Sequence, residues 1–358
     1  MIAERIEVYR LEVPLTDPFE ISLGTKHEAE NLLVRIETDS GTVGWGEAAP
    51  LEPITGETID SAIEMTKAGT SVLEGRDLRN RRGIVSDLEA ALPGAVSARL
   101  ALETALYDAY CRERQMSLAE CFGGSPAPIR TDLTVSIVDP DTAAAEAESA
   151  IEAGFDELKV KVGGDVPADL ERVAAVREVA PNAGIKVDAN QGWQPKEAIQ
   201  FAHEARERNF NLTLLEQPVH RDDVRGLRRV TEAVRIPVAA DEAVFTPADA
   251  HRIAATGAAD VINIKAAKSG LTDGAAIAEI ARGANLEVMI GCMLESAIGL
   301  HASAHLVAGL GGFSYVDLDG NFSFERNVAD VTVGPTLEAR GPGHGIVPDP
   351  SMVPDTAE

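Results

Sequence analysis

The sequence is poor in cysteine, in positive charge and in long apolar stretches, and each shortage excludes something. Cysteine occurs three times in 358 residues, at Cys111, Cys121 and Cys292. No metal-ligand spacing joins them, and an odd count in an unexported chain gives no disulfide framework, so they are read as reduced thiols. Lysine and arginine total 32 against 58 aspartates and glutamates, a formal net charge of −26. Nucleic acid and anionic membrane surfaces both need a basic face, so neither is expected as a partner. The acidity reads as a solvated surface or as the mark of a salty habitat. No apolar run approaches the ~20 residues of a membrane span. The opening residues Met1-Ile2-Ala3-Glu4-Arg5-Ile6-Glu7 carry acids where a signal peptide has a basic end and an apolar block. The expected location is the cytoplasm.

What is present is globular: 45% hydrophobic and 25% charged residues, at a length that suits two domains or one barrel with additions. Residues 6–13 and 31–46 read as antiparallel strands, the second region broken at Asp39-Ser40-Gly41. Between them, Thr16 to Glu28 has no periodicity and reads as a loop. Helical spacing follows from Thr58, and residues 97–112 predict an amphipathic helix. After Gly123-Gly124 the texture changes to short apolar runs alternating with Ala/Glu-rich helical stretches. Eight strands are expected, near 133–137, 157–162, 185–188, 212–216, 238–241, 261–265, 288–293 and 315–318, and the intervening helices are the crossovers that parallel strands require. That pattern predicts a β/α barrel. Gly341-Pro342-Gly343-His344-Gly345 is glycine-rich but does not link a strand to a helix, and is read as a structural turn rather than a phosphate cradle.

Two lysines, Lys159 and Lys161, share one face of the second expected barrel strand. Adjacent ammonium groups repel, which lowers the pKa of at least one and favours a neutral amine able to take a proton. The competing reading is an ordinary strand edge guarded by lysines. The following strands decide between them. They close with Asp188, Glu216, Asp241 and Lys265, in steps of about 24–28 residues, close to one β/α unit, so five ionisable groups are expected at one height in the mouth where barrel enzymes place their chemistry. Asp188, Glu216 and Asp241 then form an all-oxygen set that suits Mg²⁺ better than zinc. The alternative, a structural network of acids with lysines, accounts less well for three acids in sequence. Glu242 should face away from the axis on a regular strand and is excluded. Lys161 and Lys265 would lie on opposite sides of a bound substrate. A carbon beside a carboxylate gives up its proton when a divalent cation stabilises the enediolate, so one lysine removes the proton and the other returns it to the opposite face. Lys268 is set aside because Lys265 keeps step with the other strand ends. His301 and His305 have zinc-like spacing without the accompanying glutamate and read as helical surface. Asp317 and Asp319 share a face and invite a cation, either a second metal or a substrate ammonium; a solvated loop start is the plainer alternative.

With these residues in place, the sequence resembles the enolase superfamily in its muconate-lactonizing subgroup over nearly its whole length. The matching elements are Lys159-Val160-Lys161, Asp188-Ala189-Asn190, Glu216-Gln217-Pro218, Asp241-Glu242, and Asn263-Ile264-Lys265 with Lys268-Ser269-Gly270. The resemblance implies an α+β capping domain over residues 1–124, a (β/α)7β TIM-like barrel over 125–320 and a C-terminal segment, 321–358, returning to the cap. It implies one Mg²⁺ per subunit. Within the subgroup, Asp317-Leu318-Asp319 is similar to the acidic pair with which dipeptide epimerases hold a free amino terminus. On that reading the substrate is a small dipeptide, Lys159 binds its carboxylate, Thr134 and Met293 line the pocket, and Lys26 meets a side chain or terminal group. Barrels of this family often assemble, so a homo-oligomer is expected. The alternatives are o-succinylbenzoate synthase, N-succinylamino-acid racemase and muconate cycloisomerase, whose anionic substrates Asp317 and Asp319 would repel. A non-catalytic ligand-binding barrel has no need of paired bases.

Overall fold

The computed structural model describes residues 1–21, 24–354 and 356–358, and the side chains of residues 17–26 lie outside that description. The chain opens with an antiparallel sheet. β1 (Ala3–Ile21) pairs with β2 (Gly24–Thr38), and β3 (Val43–Ala48) lies on the other edge of β2. The region expected as a loop, 16–28, is strand up to Ile21 and again from Gly24. The pairing slips between Pro14↔Glu28 and Phe19↔Lys26, and there β1 gains a second partner: Thr16 N–H donates to the Ser323 carbonyl (2.8 Å) and Glu325 N–H to that of Pro14 (3.1 Å). Backbone pairing on both sides holds residues 14–16, the entry to a segment whose polar and glycine residues read as a loop.

Five helices follow: α1 (Glu52–Thr55), α2 (Ile59–Leu73), α3 (Arg81–Ala91), α4 (Val96–Glu113) and α5 (Leu118–Cys121). The helix expected to be amphipathic, α4, is buried nearly all round, with Ala98, Leu100, Ala101, Leu102, Ala105, Leu106, Ala109 and Cys111 each 0–2% exposed. It lies between β3 and the barrel, so it has no solvent face to be polar for. Its approach to β3 is close because Gly44 and Gly46 have no side chains: a Cβ on Gly46 would stand 2.1 Å from the Ala101 carbonyl oxygen, and one on Gly44 2.3 Å from the Ala109 nitrogen.

After the short strand β4 (Ala127–Arg130), eight parallel strands alternate with seven helices: β5 (Leu133–Val135), α6 (Pro140–Glu152), β6 (Glu157–Lys161), α7 (Val166–Val179), β7 (Gly184–Asp188), α8 (Pro195–Glu207), β8 (Leu212–Glu216), α9 (Val224–Ala233), β9 (Val238–Ala240), α10 (Pro247–Thr256), β10 (Val261–Lys265), α11 (Ala266–Gly283), β11 (Glu287–Gly291), α12 (Ala297–Leu310) and β12 (Tyr315–Val316). All eight expected strands are present, several of them shorter than expected. They pair in chain order from β5 to β12, and the sheet curls until Asp132 N–H reaches the Val316 carbonyl (3.4 Å). The helix starts are strongly specified. Proline opens α6, α8 and α10, and Asp139, Asp165, Thr246 and Ser296 cap α6, α7, α10 and α12. Alternation along β6 turns Leu158 and Val160 toward the helices and Lys159 and Lys161 toward the axis. Below them Leu214, Ala239, Val261 and Met289 form a buried apolar floor.

Two carboxylates from the first domain seat it on the barrel. Glu47 of β3 accepts from Ser296 N–H (2.8 Å), Ser296 Oγ (2.7 Å) and Gly299 N–H (2.9 Å) at the start of α12, and from Asn31 Nδ2 (2.8 Å). Glu103 of α4 accepts from Leu271 N–H (3.0 Å) and Thr272 N–H (2.8 Å), where Gly270 (φ 77°) breaks α11 and its second half begins. Each carboxylate meets the unpaired N–H groups of a helix start. The tail is tied on as well. β13 (Thr336–Ala339) pairs antiparallel with β4, and His344 N–H donates to Asp108 Oδ1 on α4 (3.0 Å). The glycine-rich run at 341–345 is thus a turn folded onto α4, where a Cβ on Gly343 would stand 1.8 Å from Asp108 Oδ1.

Gly46→Ala should therefore lower the unfolding free energy by about 2–3 kcal/mol through overpacking, read as a lower denaturant midpoint at an unchanged slope. A second expectation concerns pH. Burial pushes the Glu103 carboxyl up to about 7 from 4.5. The folded chain therefore binds this proton more tightly than the unfolded chain does. The resulting stability is fully present below pH 4.5 and is lost as pH rises through 7. Glu103→Gln should remove on the order of 1–3 kcal/mol of that decline between pH 5 and 8, measured as the difference between wild-type and variant denaturation curves.

Candidate active site

The strand ends converge on one buried cluster of charge. Lys159 Nζ lies 2.7 Å from Asp317 Oδ2, 2.9 Å from Glu216 Oε2 and 3.0 Å from Asp188 Oδ2. Lys161 Nζ lies 2.7 Å from Asp188 Oδ2 and 3.0 Å from Asn190 Oδ1. Across the barrel, Lys265 Nζ lies 2.8 Å from Asp241 Oδ2, and Lys268 Nζ 2.6 Å from Asp241 Oδ1. Asn263 Nδ2 donates to Glu216 Oε1 (2.7 Å). Asp188, Glu216 and Asp241 are fully buried.

The common height expected of these groups holds for three strands and then steps. Lys161 pairs with Asp188 and Asp188 with Glu216, but Glu216 pairs with Ala239, two residues before Asp241. Strands of a closed barrel are staggered, so equal sequence steps do not give equal heights. Strand β9 also ends at Ala240, and this changes the standing of Glu242. Its exclusion assumed strand alternation, which does not apply beyond the strand. Glu242 is 1% exposed and its Oε1 accepts from Asn190 Nδ2 (3.2 Å), one residue removed from Lys161.

The charge on Lys159 is not set by its neighbour in sequence. Burial alone would lower the Lys159 pKa, but Asp188, Asp317 and Glu216 outweigh it and hold the group well above its usual range. Lys265 is likewise raised, burial being overcome by Asp241. Burial prevails at Lys268, which is lowered and pinned by the Asp241 and Asn263 carbonyls. Among the carboxylates, burial would raise Asp188, but Lys159 and Lys161 pull it below its usual value. Asp241 is held low by Lys265 and Lys268 against the same burial. Glu216 is pushed up to about 8 by burial and the charge of Asp188, which Lys159 does not offset.

The residues fit a hard divalent cation by chemistry. Glu216 Oε2 and both Asp241 carboxylate oxygens are buried and receive no hydrogen bond, only the ammonium contacts above. Ionised Glu216 also calls for more positive charge than its neighbours supply. Lys159 contacts Asp188 and Glu216 and so competes with a cation for the same oxygens. Among the described residues, the one group of three Cys, His, Asp or Glu donors within 4.8 Å of one another is instead Cys292, Asp317 and Asp319. Chain spacing gives no sign of that grouping, because β11 and β12 bring Cys292 to the two acids.

The remaining expected residues are placed as follows. Asp317 is paired with Lys159, and Asp319 Oδ2 accepts from Thr134 N–H (2.6 Å), with its carboxyl pushed up to about 6 by burial and by Asp317. Met293 borders a narrow cleft together with Asn31, Ala49, Leu51 and Leu294. The expectation for the Lys26 side chain lies outside the described residues. The expected surface position of His301 and His305 is corrected. His305 is fully buried on α12 and its Nδ1 accepts from Ala119 N–H (3.1 Å), while burial pushes His301 and His305 down to about 4 and about 3. His305 is thus a core histidine between α12 and α5, and His301 is half-buried rather than exposed. Asn190 and Gln217 were read only as parts of motifs. Gln217 Oε1 accepts from Asp241 N–H (2.8 Å) and Ala243 N–H (3.2 Å) and so holds the turn that presents Asp241.

A closed parallel barrel with lysines and carboxylates at its mouth, beneath a separate α+β cap, is the architecture of one superfamily, and the chain belongs to it. Residues 5–123 match the mandelate racemase / muconate lactonizing enzyme N-terminal domain and residues 142–352 the enolase C-terminal-domain-like family. The chain is similar to the L-Ala-D/L-Glu epimerase of Bacillus subtilis (strain 168), with 40% identity over 352 residues covering 96% of each protein. It is similar also to the hydrophobic dipeptide epimerase of Enterococcus faecalis, at 36% identity over 95% of this chain and 96% of that one. A crystal structure of the E. faecalis V583 dipeptide epimerase complexed with Mg and the dipeptide L-Leu-L-Tyr superposes with a TM-score of 0.93 at 35% identity, over 96% of this chain and 99% of that one. A substrate-liganded complex of the B. subtilis enzyme superposes at 0.94 with 38% identity, over 97% and 99%.

Proposed function

We propose that the protein epimerises dipeptides, inverting the α-carbon of the C-terminal residue of an L,L-dipeptide. The observation that carries this reading is the pair Lys161 and Lys265, on β6 and β10, with the carboxylates of three intervening strand ends between them. Similarity to enzymes named as dipeptide epimerases, over nearly the whole chain, supports the substrate class. Asp188, Glu216 and Asp241 would hold one Mg²⁺ per subunit. When bound, the ion draws charge from the substrate carboxylate and so lowers the cost of removing the neighbouring proton.

The chain's own groups do the rest. One lysine amine takes the α proton from its face, and the ammonium opposite delivers a proton to the other. Lys265, held protonated beside Asp241, is in the state to donate, and Lys161 is then the acceptor; in the reverse direction the roles exchange. Lys159 balances the carboxylates and offers an ammonium to the substrate carboxylate. Asp317 and Asp319 meet the dipeptide's amino terminus, and an arriving ammonium would draw Asp319 toward its ionised form. Thr134 and Met293 border the substrate. An N-succinyl Arg/Lys racemase from Bacillus cereus has the same fold, at a TM-score of 0.94 and 28% identity, but a succinyl carboxylate would here face Asp317 and Asp319, like against like.

Incubation of the Mg²⁺-loaded enzyme with a small dipeptide library in heavy water should place deuterium at the C-terminal α-carbon, read by mass or NMR. If no dipeptide takes up deuterium while succinylated amino acids do, the reading is wrong. Lys161→Ala should abolish epimerisation yet leave exchange from the one epimer that Lys265 faces, and Lys265→Ala should show the mirror pattern. Removal of divalent metal by a chelator should stop turnover. Restoring Mg²⁺ to a hundred times its Kd should stabilise the fold by about 2.7 kcal/mol, a gain that Asp188→Asn should largely lose in thermal denaturation.

A further inference from the structure

We infer that Glu242 and Asn190 are positioning residues for Lys161: Glu242 dictates which way the Asn190 amide faces, and Asn190 with Asp188 dictates where the Lys161 amine points its lone pair. The inference rests on the epimerase reading for its kinetic test and on hydrogen-bond geometry for its substance.

A neutral lysine amine has two N–H groups and one lone pair. Lys161 Nζ faces two acceptors, Asp188 Oδ2 at 2.7 Å and Asn190 Oδ1 at 3.0 Å. With both N–H groups so engaged, the lone pair is left the one remaining free tetrahedral direction. Asp188 can only accept while ionised, but an asparagine amide is nearly symmetric in shape and offers either a carbonyl or an NH₂. Glu242 removes that freedom. Its Oε1 accepts from Asn190 Nδ2 at 3.2 Å. With the amide turned over, the Asn190 carbonyl would face the Glu242 carboxylate oxygen, and its NH₂ would face the lysine, where it would repel the ammonium or, in the neutral amine, take up the lone pair that must reach the substrate. The Asn190 backbone is pinned as well. It adopts φ 38°, a left-handed conformation that asparagine tolerates, and its N–H donates to Asp188 Oδ1 (2.9 Å).

Glu242 is costly in any other role. It is 1% exposed, no lysine or arginine of the described residues pairs with it within 4.0 Å, and its Oε2 has no hydrogen-bond partner. A buried carboxylate with so little compensation does not stabilise a fold. Among the described residues Lys265 has no corresponding device; its ion contact is to Asp241 Oδ2.

The test compares the two faces. Deuterium wash-in by the Mg²⁺-loaded enzyme is measured separately from the L,L and L,D epimers, and the one that Lys161→Ala loses is assigned to Lys161. Glu242→Met, which removes the acceptor, should slow wash-in at that epimer about tenfold or more and leave the other within about twofold. Glu242→Gln, which keeps an acceptor oxygen, should remain near wild type. Equal loss from both epimers would mean that Glu242 serves the metal site or the fold, and overturns the inference, as does an unimpaired Met variant. A crystal structure of Glu242→Met without substrate decides the matter independently: the Asn190 amide or Lys161 Nζ should shift, and retention of their contact would sink the idea. If the wild type exchanges no dipeptide at all, the epimerase reading falls, and the variant structure still judges the positioning.

Discussion

A single ammonium group, Lys159 Nζ, holds the barrel mouth together. It lies within 3.0 Å of carboxylates from β7, from β8 and from the segment after β12, so it links the second, third, fourth and last strands. Without it, three fully buried acids would face one another in a medium where unpaired charge is very expensive. The same requirement extends around the ring. Lys161 serves Asp188, Lys265 and Lys268 serve Asp241, and below them Lys186 Nζ meets Asp132 at 2.6 Å. The mouth is a lattice of alternating charge whose balance is set mostly within the chain, with Glu216 the one proposed ligand left above its usual pKa.

Such a lattice works only if water is kept from it, and the cap does this through the same physics at longer range. Glu47 and Glu103 reach from β3 and α4 to helix starts in α12 and α11, where backbone N–H groups would otherwise lack partners. The close approach of α4 to β3 over Gly44 and Gly46 makes the cap a tightly packed plate. Asp108 then ties the tail to that plate through His344 N–H and Trp45 N–H. Cap, barrel and tail are joined by buried acceptors facing preformed donors, which fixes orientation more sharply than apolar contact alone.

Much of this could be read from the sequence, for identifiable reasons. The barrel strands are short apolar runs closed by ionisable residues and separated by capped, proline-started helices, and each of those signals is local. What could not be read depends on three dimensions. β1 runs on past Thr16 where the tail pairs with residues 14–16, and no local pattern records a partner about 300 residues away. The burial of α4 on every side and of His305 on α12 reflects what packs over them, not their own periodicity. Asp241 sits above the level of Glu216 because closure staggers the strands. Glu242 faces the site because strand alternation does not extend two residues past the end of β9, and the charge on Lys159 is set by three partners in space rather than by its neighbour in sequence.

The two lysines that flank the site are held by unequal means, and the difference has a physical reading. Lys265 meets the carboxylate of Asp241, whose other oxygen is taken by Lys268; that contact stabilises a charge through one oxygen. Lys161 meets one charged and one neutral acceptor set at an angle, and the neutral one is oriented by a further carboxylate. Charge stabilisation favours the protonated state and so suits a donor. Directional hydrogen bonding to two acceptors fixes the amine in space whether or not it carries the proton, which suits an acceptor that must be aimed before it is charged. Near-symmetry of the reaction therefore does not require symmetry of the two bases, and the barrel supplies one of them with a carboxylate alone and the other with a carboxylate and an oriented amide.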